Sequence, residues 1–224
     1  MTQIRTETLP LTDGTELPLT MAGPERVVRG GLVVLHEALG VTDRVRGLVG
    51  ALADDGWLVV APDLYHRHGT AFGDGGQEPL EHARRLSEES ILADTDAAFV
   101  WLTEQGVTPD CQGVIGFEVG GTAALVVATN RSLAAAVTVG GGGIVEPVSA
   151  ELPALVSIAG ELTCPWLGLY AQDDRIPAEQ VEKLREAADR AEVATDLVRY
   201  PASVGDAHQE AWQRARNWLD LHLR

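Results

Sequence analysis

Short continuous apolar runs recur along the chain, and they limit its fold more than any other feature of the sequence. Each run is five or six residues long, the pattern of a strand buried on both faces of a parallel sheet. We predict such strands at residues 31–36, 57–61, 113–117, 134–139, 166–170 and 195–200.

Helical apolar periods separate these runs. One helix follows Thr42, which is placed to be its N-cap, and ends at Gly56. We predict further helices from the periods at 92–102, at 181–191 after Pro177 and at 212–219. Residues 3–22 alternate around a polar Asp13-Gly14 pair and predict a hairpin.

This alternation predicts an α/β protein with a mostly parallel, eight-stranded sheet and helices on both faces. Functional sites in such sheets lie beyond the carboxyl ends of the strands. The sequence contains neither an internal repeat nor a linker composition, so we expect a single domain over residues 1–224.

Charge and cysteine content exclude several classes of protein. The 224 residues carry a formal net charge of −16, which opposes binding to nucleic acids and anionic membranes. The sequence has no apolar run long enough to span a membrane and no signal-peptide pattern, so we expect a cytoplasmic protein. Cys111 and Cys164 fit buried thiols rather than a disulfide framework.

The segment 116–121, Gly-Phe-Glu-Val-Gly-Gly, is the most informative motif. It lies between a predicted strand and an Ala/Val-rich helix, and G-x-Nu-x-G in that context is a nucleophile elbow. Glu118 occupies the position that the elbow lifts into the cleft. The N-terminus of the following helix would favour an anion there.

Several segments together resemble the dienelactone hydrolases, a compact branch of the α/β-hydrolases. They are Leu-His-Glu-Ala-Leu-Gly-Val at 35–41, Gly-Trp-Leu-Val-Val-Ala-Pro-Asp-Leu-Tyr at 56–65, the elbow, Ala-Gln-Asp-Asp at 171–174 and Tyr-Pro at 200–201. The resemblance covers nearly the whole chain and implies the α/β-hydrolase fold.

The resemblance also implies a set of site residues, of which only some are present. Glu37 matches the family's glutamate beside the nucleophile, and Asp174 matches its catalytic aspartate. Glu118 replaces the nucleophilic cysteine. Gly205 stands where the catalytic histidine is expected, and His208 follows three residues later. The backbone amides of Ala38 and Val119 match the family's oxyanion hole.

A carboxylate at the elbow changes the chemistry. Glu118 is ionised without a histidine, so it could act as a nucleophile, as elbow aspartates do in epoxide hydrolases, or as a general base. If Glu37 faces Glu118, the two could share a proton and form an acid–base pair. We expect a lactone, ester or epoxide substrate, or a proton-transfer isomerisation or cyclisation.

Less specific interpretations stay open beside these. The chain could be an inactive relative that binds a small ligand, and Asp174 could cap the helix after Pro177. His208 would then lie in the exposed first turn of the last helix. We expect His66 and His68 to be solvated rather than metal ligands, and Arg84 and Arg85 to face solvent.

The predicted partners are few. A hard cation on Glu37, Glu118 and Asp174 is chemically reasonable, but their spacing does not require it, so we predict neither a metal nor a cofactor. The glycines at 140–143 would leave room at a strand end. We expect a small-molecule substrate, no nucleic-acid or membrane partner, and a monomer or homodimer.

Overall fold

The computed structural model describes residues 3–69, 79–172, 175–201 and 205–223. The strands in these ranges are β1 (Arg5–Pro10), β2 (Glu16–Ala22), β3 (Gly31–Leu35), β4 (Leu58–Pro62), β5 (Gln112–Phe117), β6 (Ala135–Val139), β7 (Trp166–Gln172) and β8 (Thr195–Pro201). The helices are α1 (Asp43–Asp54), α2 (Pro79–Ala83), α3 (Glu88–Glu104), α4 (Val119–Asn130), α5 (Leu155–Ile158), α6 (Ala178–Ala188) and α7 (Gly205–His222). Short 3₁₀ helices lie at His66–His68, Pro109–Cys111 and Ala159–Glu161.

The strands form one eight-stranded sheet in the order β1-β2-β4-β3-β5-β6-β7-β8. β1 and β2 form the predicted hairpin, and β2 pairs antiparallel with β4. All other pairs are parallel, from β4 through β3 to β8. The predicted α/β class and mostly parallel sheet are confirmed.

The inner strands of the sheet are buried on both faces, which is why they are almost continuously apolar. Leu32 and Val34 of β3 pack into a core with α1 and α7. Val33 and Leu35 of the same strand pack on the other face with α3, α4 and α6. Because side chains alternate along a strand, each apolar run supplies both cores.

Side-chain hydrogen bonds define the starts of two helices and the hairpin turn. The Thr42 hydroxyl accepts a hydrogen bond from the amide of Val45 at 3.4 Å and caps α1, as predicted. In the hairpin turn, Asp13 accepts from the amide of Thr15 at 2.8 Å. Ser87 and Ser90 form a capping box for α3, which the apolar period alone did not reveal.

The prediction that His66 is solvated is wrong. Its side chain is 2% exposed, and its Nε2 lies 3.1 Å from Oδ1 of Asp94, a fully buried residue of α3. Arg67 donates to both oxygens of Asp94, at 2.8 and 3.0 Å. A buried carboxylate requires such partners, and these come from a segment distant in sequence. His68 is exposed, as expected.

Of the other predictions of burial that the described residues test, only the one for Cys111 is wrong. Cys164 is buried, whereas Cys111 is only half-buried because it ends the 3₁₀ helix at the amino end of β5. Arg84 and Arg85 are exposed. Within the described ranges, no helix is both long enough and apolar enough to cross a membrane.

Candidate active site

Glu118 lies at a sharp turn between β5 and α4, as the elbow motif predicts. Its φ of 51° and ψ of −113° make it the only non-glycine residue with positive φ among those described. Such a backbone is strained in a residue with a side chain, and strain of this kind is concentrated at functional sites. The turn leaves the Glu118 side chain 50% exposed at the N-terminus of α4.

Two glycines make the turn sterically possible. A Cβ on Gly116 would collide with the carbonyl group of Gly120, and a Cβ on Gly120 would collide with the carbonyl oxygens of Leu35 and His36. The G-x-E-x-G pattern is therefore required because the backbones of β3, β5 and α4 approach one another without room for side chains.

Glu118 lines a cleft of about 590 Å³ at the carboxyl ends of the strands, which we call the main cleft. Glu37, Ala38 and Val119 line the same cleft, so the structure brings together four of the predicted site residues. The glycine run after β6 contributes Gly140 and Gly142 to the wall, in agreement with its expected role of leaving room.

Glu37 is held in place by the residue before it. His36 is fully buried, its Nδ1 lies 2.8 Å from the carbonyl oxygen of Glu37, and its Nε2 accepts from the amide of Leu64 at 3.0 Å. A ring nitrogen that accepts from an amide carries no proton, so His36 is the neutral Nδ1–H tautomer. Burial lowers the pKa of His36, which stabilises this neutral form.

Each of the two glutamates contacts an arginine. Arg44 donates to Oε2 of Glu37 at 3.3 Å, and Glu37 itself is only 8% exposed. Arg175 donates to Oε1 of Glu118 at 3.5 Å. Sequence reasoning missed both arginines, although the position of Arg44 in the first turn of α1, seven residues after Glu37, was a usable signal. Proton sharing between the two carboxylates stays a prediction.

Ala38 and Val119, whose amides match the expected oxyanion hole, line the main cleft from two elements. Ala38 begins the turn closed by the hydrogen bond from the amide of Gly40 to the carbonyl oxygen of Glu37, at 3.0 Å. Val119 is the first residue of α4, where an amide has no partner within the helix. Among the described residues, no backbone carbonyl accepts a hydrogen bond from either amide. Both remain able to donate to a ligand.

Other ionisable groups near the site are poorly suited to act as bases. Tyr65 is buried, and desolvation raises the pKa of its phenol, as do the charges of Asp63 and Glu118. Tyr170 lines the main cleft, and burial also raises its pKa. Away from the site, just before the amino end of β7, burial raises the pKa of the Cys164 thiol to about 12, so it does not form a thiolate.

Two predicted site residues are not placed by the structure. Asp174 lies outside the described residues. The backbone of His208 lies in the first turn of α7, as predicted, but its side chain is outside the described part. In the ranges that are described, no three His, Cys, Asp or Glu side chains are grouped as metal ligands.

The parallel sheet, the strained elbow and the adjacent amides define an α/β-hydrolase. The sequence matches the dienelactone hydrolase family over residues 17–223, and the chain belongs to this family of hydrolytic enzymes. It is 27% identical to a carboxymethylenebutenolidase of Rhodococcus opacus, over 95% of this chain and 89% of the relative.

Further relatives agree in sequence and structure. A carboxymethylenebutenolidase-like protein of Salmonella typhi is 30% identical over 92% of this chain and 83% of its own. A crystal structure of a dienelactone hydrolase-like protein from Klebsiella pneumoniae superposes with a TM-score of 0.89 at 27% identity, covering 98% of this chain and 99% of that one.

Proposed function

We propose that this protein hydrolyses a small ester or lactone with Glu118 as the general base. The single observation that carries the proposal is the placement of a half-exposed carboxylate on a strained elbow, in one cleft with the amides of Ala38 and Val119. An enzyme of this family needs a group that activates a nucleophile and donors that stabilise the oxyanion. Glu118 and the two amides supply both.

In the proposed reaction, the substrate carbonyl oxygen accepts hydrogen bonds from the amides of Ala38 and Val119. Glu118 removes a proton from a water molecule as the water oxygen bonds to the carbonyl carbon. The tetrahedral oxyanion then collapses, the bond to the leaving oxygen breaks, and Glu118 returns the proton to that oxygen. The products are a carboxylic acid and an alcohol, or a hydroxy acid from a lactone.

General-base catalysis fits the described residues better than covalent catalysis. An acyl-enzyme on Glu118 would need a second base for its hydrolysis, and among the described residues that line the cleft none is a histidine. A glutamate also reaches about one bond further than an elbow aspartate, and a misplacement of ~1 Å can cost 10²-fold in rate. Glu37, paired with Arg44, would contribute to the electrostatics beside the base.

A second candidate is proton transfer within a carbonyl compound, which the same base and amides support. Glu118 would remove a proton next to the carbonyl, and the amides would stabilise the enolate. An isomerase or cyclase of this kind incorporates solvent deuterium into the substrate without forming an acid.

The third candidate is a binding protein without activity. The contact of Glu118 with Arg175 favours it, because the carboxylate already has an ionic partner.

The test is turnover of aryl esters, lactones, epoxides and enolisable ketones by wild type, Glu118→Gln and Glu161→Gln. Because the amide cannot accept the proton, we expect Glu118→Gln to lose about 10²- to 10⁴-fold in kcat. Glu161 is an exposed glutamate outside the cleft, so Glu161→Gln should match wild type.

A single turnover in ¹⁸O-labelled water separates the mechanisms. The label should enter the product acid, whereas label in the Glu118 carboxylate would indicate a covalent intermediate. Full activity of Glu118→Gln would contradict the proposal. Tight ligand binding without turnover, unaffected by Glu118→Gln, would instead support the binding protein.

A further inference from the structure

A second cleft of about 310 Å³ opens between α1 and α7, and we call it the side cleft. Its walls are mostly apolar side chains from both helices and from four strands. They include Val45, Leu48, Phe117, Leu169, Ala211 and Trp212.

The side cleft adjoins the main cleft. Glu37, Arg44, Phe117, Val139 and Tyr200 line both. The ion pair of Glu37 and Arg44 therefore lies where the two clefts meet, and a ligand that contacts the elbow in one cleft can extend into the other.

The lining of the side cleft favours an uncharged occupant. Apart from Glu37 and Arg44, which already pair with each other, the described residues that line it carry no formal charge. A charged ligand group inside would lose its hydration without gaining a partner, and that is costly. An apolar group, in contrast, gains by leaving water.

Aromatic rings make the lining suited to a planar group. The rings of Trp212 and Phe117 lie 6.4 Å apart with an interplanar angle of 38°. The guanidinium of Arg216 lies 5.6 Å from the centre of the Trp212 ring and forms an ion pair with Asp55 at 2.8 Å. These contacts hold the indole in place before a ligand arrives, which reduces the ordering cost of binding.

We propose that the side cleft is the subsite for an uncharged aromatic group of the substrate, up to two fused rings in size, with Trp212 as the residue that determines this specificity. A cavity of about 150 Å³ lined by apolar side chains accommodates benzene, so a volume twice as large suits a bicyclic group. The assignment of this group to a substrate rests on the proposed hydrolysis, in which the carbonyl is bound at Ala38 and Val119.

The experiment measures binding separately from turnover. Naphthalene-2-carboxamide, an uncharged analogue that lacks an ester, is titrated calorimetrically into wild type, Trp212→Ala, Leu48→Trp and Trp218→Ala. Trp212→Ala removes an aromatic wall, and Leu48→Trp fills the cleft from the opposite helix. Trp218→Ala is the matched control, because Trp218 is a half-buried tryptophan of the same helix that does not line the cleft.

We expect wild type and Trp218→Ala to bind equally, and Trp212→Ala and Leu48→Trp to bind at least about tenfold more weakly, in line with the loss of an aromatic contact. Thermal unfolding checks that each variant is folded. The proposal is overturned if wild type does not bind, if both cleft variants bind as wild type does, or if Trp218→Ala weakens binding equally.

Turnover then tests the link to catalysis. The preference for naphthyl over ethyl esters is measured as the ratio of their kcat/KM values. In Trp212→Ala this ratio should fall about tenfold, because KM for the naphthyl ester rises while kcat stays the same. Glu118→Gln should retain binding of the amide while losing turnover. Wild type and all variants could fail to hydrolyse any ester while their affinities for the amide still differ as expected. That outcome would contradict the proposed hydrolysis and would still support the aromatic subsite.

Discussion

Glu118 combines local strain with the proposed chemistry in a single residue. Its positive φ is imposed by the close approach of β3, β5 and α4, which only glycines at 116 and 120 permit. A backbone of this kind costs roughly 1–3 kcal/mol in a residue other than glycine. The fold bears this cost at the one position where a side chain must project from the elbow into the cleft.

Relief of this strain predicts that Glu118→Gly stabilises the protein while abolishing turnover. Glycine removes the strain, but it also makes the unfolded chain more flexible, which lowers the free energy of unfolding by up to about 1 kcal/mol. We therefore expect a net gain of about 1 kcal/mol in the free energy of unfolding. Urea unfolding measures it. Glu186→Gly, at an exposed position inside α6, is the control and should lose about 1 kcal/mol. Equal losses in both variants would contradict the prediction.

At the scale of elements, α3 is attached to the loop after β4 by a buried ion pair. Asp94 is fully buried and accepts from Arg67 and contacts His66, and Arg67 also bonds to Asp13 of the hairpin turn at 3.1 Å. Three segments distant in sequence therefore meet at the Arg67 guanidinium. Breaking such a pair leaves a buried charge without its partner, which costs more than the pair itself contributes.

Asp94→Asn should therefore destabilise the protein by about 3 kcal/mol in urea unfolding, since the fully buried amide is uncharged and offers one acceptor where Arg67 donates to two carboxylate oxygens. Asp96→Asn is the matched control on the same helix. Asp96 bonds to Arg131 at 2.6 and 2.7 Å, but its side chain is 43% exposed, so its loss should cost at most about 1 kcal/mol. Similar effects of the two substitutions would show that burial does not strengthen the Asp94 contacts.

Over the whole molecule, buried histidines link stability to pH. Burial lowers the pKa of His36, although the carbonyl of Glu37 and the charges of Asp63 and Asp94 act in the opposite direction. Partial desolvation also lowers the pKa of two less buried histidines, the exposed His68 and the half-buried His222. Because the unfolded chain binds protons that the folded chain excludes, the contribution of these groups is complete above the ordinary histidine pKa of 6.5 and declines below it.

We therefore predict that the free energy of unfolding falls as the pH drops from 7 to 5, by up to about 1.4 kcal/mol per pH unit for one group. Urea unfolding at half-unit intervals measures it. His36→Gln should reduce this slope, whereas His68→Gln, at an exposed position, should change it little. An unchanged slope in His36→Gln would contradict the assignment.

A second decline in stability is expected at lower pH. The hydroxyl and amide of Thr15 donate to Asp13 and lower its pKa to about 2. Its contribution is therefore present above the ordinary aspartate pKa of 3.8 and disappears as the pH falls towards 2.

The sequence by itself determined the α/β fold, the mostly parallel sheet and the elbow, because continuous apolar runs, helical periods and glycine spacing are local patterns. Glu118 could be selected for the site from the elbow motif, whereas Glu37, Ala38 and Val119 were selected because the sequence resembles the dienelactone hydrolases. Only the tertiary structure decided that Arg44 and Arg175 face the two glutamates, that His66 is buried against Asp94, and that Trp212 closes a side cleft. These contacts join segments remote in the chain, and their geometry depends on how the helices pack on the sheet, which periodicity does not encode.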